Sequence, residues 1–249
     1  MRALLLSLLI TAGACVQAQQ TIYEEARVPF RRELYGGLML HGDGWGLHFF
    51  YAKHRNAIDR TLFGMEIVGM KHPKEVKSFN PYYEDSRGYF YGKSNALLIV
   101  RPSIGKKHQI TDKIRRTGVE LNYVWSVGPS LGLAKPVYLQ IGKPDNIPYQ
   151  EFVTERYDPA VHSVQNIYGR ASWFKGFGEM KLYPGGFGRA GLNFEYSGQT
   201  TGIKSIEVGM SMDAYAVKVP IMAELEGVEN KQFFWEFYVA LQFGKKYVQ

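Results

Sequence analysis

Three features of the sequence predict an all-β fold, an eight-stranded antiparallel transmembrane barrel with long loops at one end and short turns at the other. Apolar residues alternate with polar or small ones along eight segments, the pattern of strands whose side chains point to opposite faces in turn. No segment after residue 18 is long and apolar enough for a membrane helix. The polar faces of the alternating segments carry carboxylates and arginines rather than the lysines of a water-exposed sheet. Aromatics at 14% with 27 glycines fit many strands and tight turns better than helices.

The chain opens with "MRALLLSLLITAGACVQAQQ", a basic Arg2, an apolar run and then small residues. That order is a secretory signal peptide over 1–18, with Val16 and Ala18 at the positions that favour cleavage before Gln19. Cys15, the only cysteine, raises a rival reading as a lipid anchor, but Ala12 stands where such an anchor normally has Leu. Cleavage after Ala18 leaves residues 19–249 as one barrel domain with no disulfide.

The strands follow in order at 33–41, 45–53, 61–71, 93–102, 118–128, 186–197, 203–213 and 232–244. In the first, Leu34, Gly36, Leu38 and Leu40 oppose Tyr35, Gly37, Met39 and His41; in the second, Trp45, Leu47, Phe49 and Tyr51 oppose Gly46, His48, Phe50 and Ala52. The third and fourth alternate less cleanly, with Glu66 and Arg101 on the polar face. "GVELNYVWSVG" sets Val119, Leu121, Tyr123, Trp125 and Val127 against Glu120, Asn122, Val124 and Ser126. Leu192 and Phe194 oppose Asn193 and Glu195, and Val208 and Met210 oppose Glu207 and Ser211. In the last, Phe233, Trp235, Phe237, Val239, Leu241 and Phe243 oppose Glu236, Tyr238 and Gln242.

Short connections link strands two to three, four to five and six to seven. Long ones, around 72–92, 129–185 and 214–231, lie at the opposite end. This is the asymmetry of outer-membrane barrels, with short periplasmic turns and longer extracellular loops. A soluble barrel would turn its apolar face inward; a membrane barrel turns it to lipid. Glu66, Glu120, Glu195, Glu207 and Glu236 with Arg101 and Arg189, and no mid-strand lysine, favour a narrow lumen filled by ion pairs. Aromatics near strand ends, such as Trp45, Tyr51, Tyr123, Trp125, Tyr196, Phe233 and Trp235, suit the two lipid–water boundaries.

The stretches "VGPSLGLAKPVYLQI", "DAYAVKVPIMAELEGVENKQFF" and "FYVALQFGKK" resemble the small outer-membrane β-barrel proteins of the Bacteroidota over most of the mature chain. The resemblance implies residence in the bacterial outer membrane. It also implies a role as an accessory subunit of a larger envelope complex, as in barrel-assembly or type IX secretion machinery. A lipid-modifying enzyme and a small adhesin or ligand-binding barrel are the alternative readings.

For chemistry, the sequence offers His162 beside Ser163 and His41 near Asp43, without the spacing of a nucleophilic triad. The scattered histidines form no metal-ligand pattern. The expectation is therefore no catalytic, cofactor or metal site. The long loops carry the aromatic surplus: Tyr82, Tyr83, Tyr89 and Phe90 in one, Trp173, Phe174 and Phe177 in the next, Ile221 and Met222 in the last. Loops of this length are usually functional, and these residues are the expected docking surface for other outer-membrane or surface proteins. Trp173, Phe174 and Phe177 are expected on one face of a short helix. The net charge of +7 concentrates at the other end, where Lys106, Lys107, Lys113, Arg115 and Arg116 are expected to form a periplasmic rim against lipid headgroups. An exported chain gives that charge no nucleic acid to meet.

Overall fold

In the computed structural model, residues 30–113, 118–143, 151–225 and 227–248 are described. The expected signal peptide, its cleavage site, Cys15, Arg115 and Arg116 lie outside the described residues. Eight long strands form the barrel: β1 (Arg32–His41), β2 (Gly44–His54), β3 (Asp59–Met70), β4 (Asn95–Thr111), β5 (Glu120–Pro136), β6 (Lys181–Glu195), β7 (Gly202–Tyr215) and β8 (Phe233–Tyr247). Each pairs antiparallel with the next, and β8 closes on β1 from Arg32↔Tyr247 to His41↔Tyr238. An up-and-down closed barrel leaves no sheet edge among these strands.

The turns follow from local chemistry. At 55–58 the Asn56 side-chain oxygen accepts from the backbone N–H of Ile58 at 3.1 Å and of Asp59 at 2.6 Å, an Asx turn that reverses the chain between β2 and β3. The short connections 55–58, 112–119 and 196–201 share one end with the start of β1 and the finish of β8, called here the turn end. The connections 71–94, 137–180 and 216–232 share the loop end with the tight turn at Gly42–Asp43.

All eight expected strands are present, but β4, β5 and β6 run further than their patterns indicated. The stretch expected as a turn, 103–118, is strand as far as Thr111. There Gly105 and Lys107 point inward while Ile104, Lys106 and His108 point outward. The two lysines imitate a solvated loop, yet the alternation continues through them.

The polarity of the barrel is inverted relative to a water-soluble one. Outward side chains are apolar and exposed, including Leu34, Phe49, Phe63, Trp125 and Trp235, with Phe237 79% exposed. Inward ones include Glu33, Glu66, Arg101, Arg189 and Glu207, the last 0% exposed. Both polar-face arginines and all five polar-face glutamates expected in the interior are there. The expectation of no mid-strand lysine is corrected by Lys107, which lies inside β4 and is 1% exposed.

The interior is filled in layers, as the bore of eight strands allows. Beneath the loop end an apolar layer contains Met39, Val68, Met70, Leu97, Ile99, Tyr215 and Phe234, with Val219, Ile221 and Met222 from loop 216–232. Toward the turn end, Tyr35, Phe50, Ala52, Leu62, Val124 and Ile203 make a second apolar layer. Charged side chains occupy the space around these two.

The long loops fold together as a cap. Loop 137–180 forms a three-stranded sheet in the order Ile167–Arg170, Tyr138–Lys143, Glu151–Arg156. Loop 71–94 contributes a two-residue ladder, Lys77–Ser78 with Tyr89–Phe90. Tyr89, Leu139, Ile141, Tyr157, Ile167 and Ala223 bury a small core of their own, drawing on all three loops.

Candidate functional site

The lumen is the most polar buried region, and its charges sit in two groups. In the first, Arg101 donates from Nε to Asp213 at 3.0 Å and from Nη2 to the other oxygen of that carboxylate, with Glu66 3.6 Å from Nη1. Arg189 reaches Glu66 at 2.7 Å and Glu207 at 3.0 Å. Its guanidinium lies 4.7 Å from the centre of the Phe50 ring and 5.3 Å from that of Tyr238, two cation–π contacts. The Tyr238 hydroxyl donates to Glu207 at 2.8 Å, and His41 meets Glu236 at 2.9 Å.

In the second group, near the turn end, Arg60 bridges Glu33 at 3.2 Å and Glu120 at 2.9 Å. Lys107 lies between Glu195 at 3.7 Å and Glu33 at 4.0 Å. Lys113 and Lys246 converge on Glu195 at 3.1 and 2.7 Å. Cations and carboxylates drawn from most of the strands thus pair inside the bore, which knits the wall and blocks an aqueous path.

The expected basic rim divides. Lys106 faces outward and pairs with Asp59 at 2.9 Å, Lys107 is in the lumen, and Lys113 turns inward to Glu195 and to the Ser197 carbonyl at 3.0 Å. Lys107 is therefore corrected from rim to interior, drawn in by buried glutamates at the same depth, whereas Lys113 stays half-buried at the turn end.

The cap residues divide as well. Tyr89 is buried in the cap core, Ile221 and Met222 pack beneath the cap, and Tyr83 is half-buried with its ring edge-on to Phe152 and Tyr168. Phe90 is half-buried under Lys93, whose Nζ is 5.1 Å from its ring centre. Tyr82, Trp173, Phe174 and Phe177 are exposed, Phe174 to 77%. The helix expected around Trp173 is only a 3-10 turn, Phe177–Glu179, entered through Gly176 at φ 85°. It still gathers the three rings: Trp173 lies 4.8 Å from Phe177 and 5.7 Å from Phe174. Lys135 of β5 anchors the cluster by donating to the carbonyls of Trp173 at 2.9 Å and Lys175 at 3.1 Å.

Neither histidine pair forms a nucleophilic site. His162 is buried; its Nδ1 accepts from the Asp158 N–H at 3.0 Å, so Nε2 carries the proton and donates to Glu155 at 3.2 Å. That hydrogen bond holds the Glu155 carboxyl below its ordinary range. Ser163 is exposed, and its backbone N–H is capped by Asn166 at 2.9 Å. His41 points into the lumen toward Glu236 rather than toward Asp43. Among the described residues no group of three or more His, Cys, Asp or Glu is arranged to hold a metal ion.

Sequence reasoning missed the cavity between loops 71–94 and 137–180, whose walls include Lys77, Arg87, Lys93 and Arg170. These residues are far apart in the chain, and only the cap sheet brings them together. Compared with protein-family models and with curated proteins, the chain matches none.

Proposed function

We propose that the chain is a non-enzymatic, integral outer-membrane barrel that serves as an accessory subunit of a multiprotein envelope complex and docks its partners through the cap. The observation that carries the membrane assignment is the inverted polarity of the wall: exposed Phe237, Trp235 and Phe49 outside, paired Arg189 and Glu207 inside. In water that exterior would be an apolar patch far larger than a soluble monomer carries, whereas lipid solvates it. No helix among the described residues is long and apolar enough to cross a membrane, and strands do not need one.

Support for docking is narrower and rests on the cap. Phe174 and Phe177 stand exposed beside Trp173 on a short turn pinned by Lys135, a rigid aromatic cluster of the kind that anchors interfaces. Tyr82 adds an exposed ring on loop 71–94.

Two measurements test the two parts. The membrane assignment expects the protein to remain in the detergent-extracted fraction and to migrate faster unboiled than boiled; identical migration from a soluble fraction would overturn it. The docking assignment expects a stoichiometric partner to co-purify in mild detergent and to be lost on Phe174→Ser/Phe177→Ser. Purification of the wild-type chain alone would overturn the subunit reading.

A further inference from the structure

On the outside of the wall, where β4 and β5 rise toward the cap, a cavity of about 900 Å³ opens between loops 71–94 and 137–180. Its floor is the register pair Ala96↔Lys135, both residues on the outward face of their strands. Lys77, Arg87 and Lys93 come from one arm, and Arg170 and Trp173 from the other. Among the described residues no aspartate or glutamate lines it.

Convergent cations with no anion between them repel one another, so an arrangement of this kind calls for a counter-charge. Lys93 has one, Glu75 at 2.6 Å. Among the described residues, Lys77, Arg87, Lys135 and Arg170 have no carboxylate at ion-pair distance. Lys135 is positioned by main-chain carbonyls instead and lies 5.4 Å from the Trp173 ring centre. Those contacts orient its ammonium without neutralising it.

What lies below the cavity narrows the class of anion. Leu98, two residues along β4 from Ala96 on the same face, is exposed, roughly 7 Å down the wall. Leu133 of β5 and Leu182 of β6 continue the same register row across the wall, and Leu182 is exposed. Cations above and hydrocarbon below, within one headgroup's depth, match an amphiphile rather than a free ion. The two guanidiniums favour phosphate, whose oxygens accept paired N–H donors. We propose that this cleft is a binding site for the phosphate of a lipid headgroup, with the lipid's acyl chains lying against the wall below. The inference rests on the membrane reading given above and adds a ligand class to it.

The test uses the full chain reconstituted in phosphatidylcholine bilayers, with spin-labelled phosphatidic acid and spin-labelled phosphatidylcholine as probes. We expect a saturable preference for phosphatidic acid that weakens about fivefold for each cation removed in Arg87→Gln, Lys135→Gln and Arg170→Gln. Lys53→Gln/Lys245→Gln, on the turn end, should leave that preference in place. A cleft triple variant that still shifts on boiling yet keeps the full preference would overturn the site. Displacement of the labelled lipid by equimolar inorganic phosphate would overturn the lipid source in favour of a free anion. Failure to insert at all is separately visible as loss of the boiling shift, and would remove the membrane reading together with this one.

Discussion

Arg189 illustrates how a buried charge is made tolerable in a bore this narrow. Two carboxylates meet its guanidinium and two aromatic rings lie within cation–π distance of it. The rings fit because glycines give way beside them. Gly191, Gly209 and Tyr238 are register neighbours on β6, β7 and β8, so the tyrosine side chain lies across two positions without a Cβ. A Cβ at Gly209 would fall 2.7 Å from the Tyr238 hydroxyl, and one at Gly64 only 2.1 Å from the Phe50 ring. Replacing Arg189 by Met keeps much of the volume but leaves Glu207 without its cation and Glu66 with only the longer contact to Arg101. Removal of one partner from a buried pair costs about 3–5 kcal/mol. We expect Arg189→Met to lower the urea midpoint of the reconstituted barrel accordingly. Arg189→Met/Glu207→Gln should recover part of the loss, since the second change removes the stranded charge. Equal midpoints for the single variant and wild type would mean that the network contributes nothing to stability.

At the scale of elements, the loop end is closed by a segment rather than by single side chains. Loop 216–232 dips into the mouth so that Val219, Ile221 and Met222 join the apolar layer. Asn230 holds that shape: its side-chain oxygen accepts from the N–H of Ile221 at 3.0 Å and of Met222 at 3.1 Å, and its Nδ2 donates to the Met222 carbonyl at 2.9 Å. Asn95 adds a bond to the Pro220 carbonyl at 2.6 Å. Asn230→Ala strands buried backbone groups at a cost of about 1–3 kcal/mol. The expected outcome is faster proteolysis within 216–232 while the barrel still migrates as folded; unchanged proteolysis would show that the loop is held by its apolar residues alone.

The same scale shows which parts of the fold were legible in sequence. Strand faces were readable because a period of two survives wherever one side is apolar and points outward and the other carries polar groups that are paired inside the barrel, as in Phe237–Val239–Leu241 against Glu236 and Gln242. The lower half of β4 was not, because Lys106 and Lys107 carry identical charge to opposite solvents, one to the outside and one to Glu195. The cap was opaque for a different reason. Its sheet joins short segments such as Ile167–Arg170 and Tyr138–Lys143, whose periodicity is too brief to read and whose partners are remote in the chain. Hence Tyr89, Ile221 and Met222 looked like surface anchors when they are core.

For the whole molecule, the layers decide what the barrel can conduct. A path from end to end would have to pass the cap core, the apolar layer with Met39 and Ile99, the Arg101–Arg189 network, the Phe50–Leu62 layer and the Arg60–Lys107 network in turn. Each charged layer is closed by direct ion pairs, and each apolar layer by side chains with almost no exposure. An ion entering this bore would have to shed its water without gaining a free partner, since the wall charges already neutralise one another. Opening the cap alone therefore does not make a pore, because two ionic layers and the lower apolar layer remain beneath it. We expect the reconstituted protein to show no stable channel in a planar bilayer, and the Asn230→Ala variant to show none either despite its loosened loop. By the same reasoning Arg101→Ser/Arg189→Ser, which empties one layer of its cations, should destabilise the barrel without opening a conductance, because the Phe50–Leu62 layer and the Arg60–Lys107 network still close the bore. Steady unitary conductance from the wild-type chain would refute the plugged bore, and with it the assignment of this molecule to docking rather than to transport.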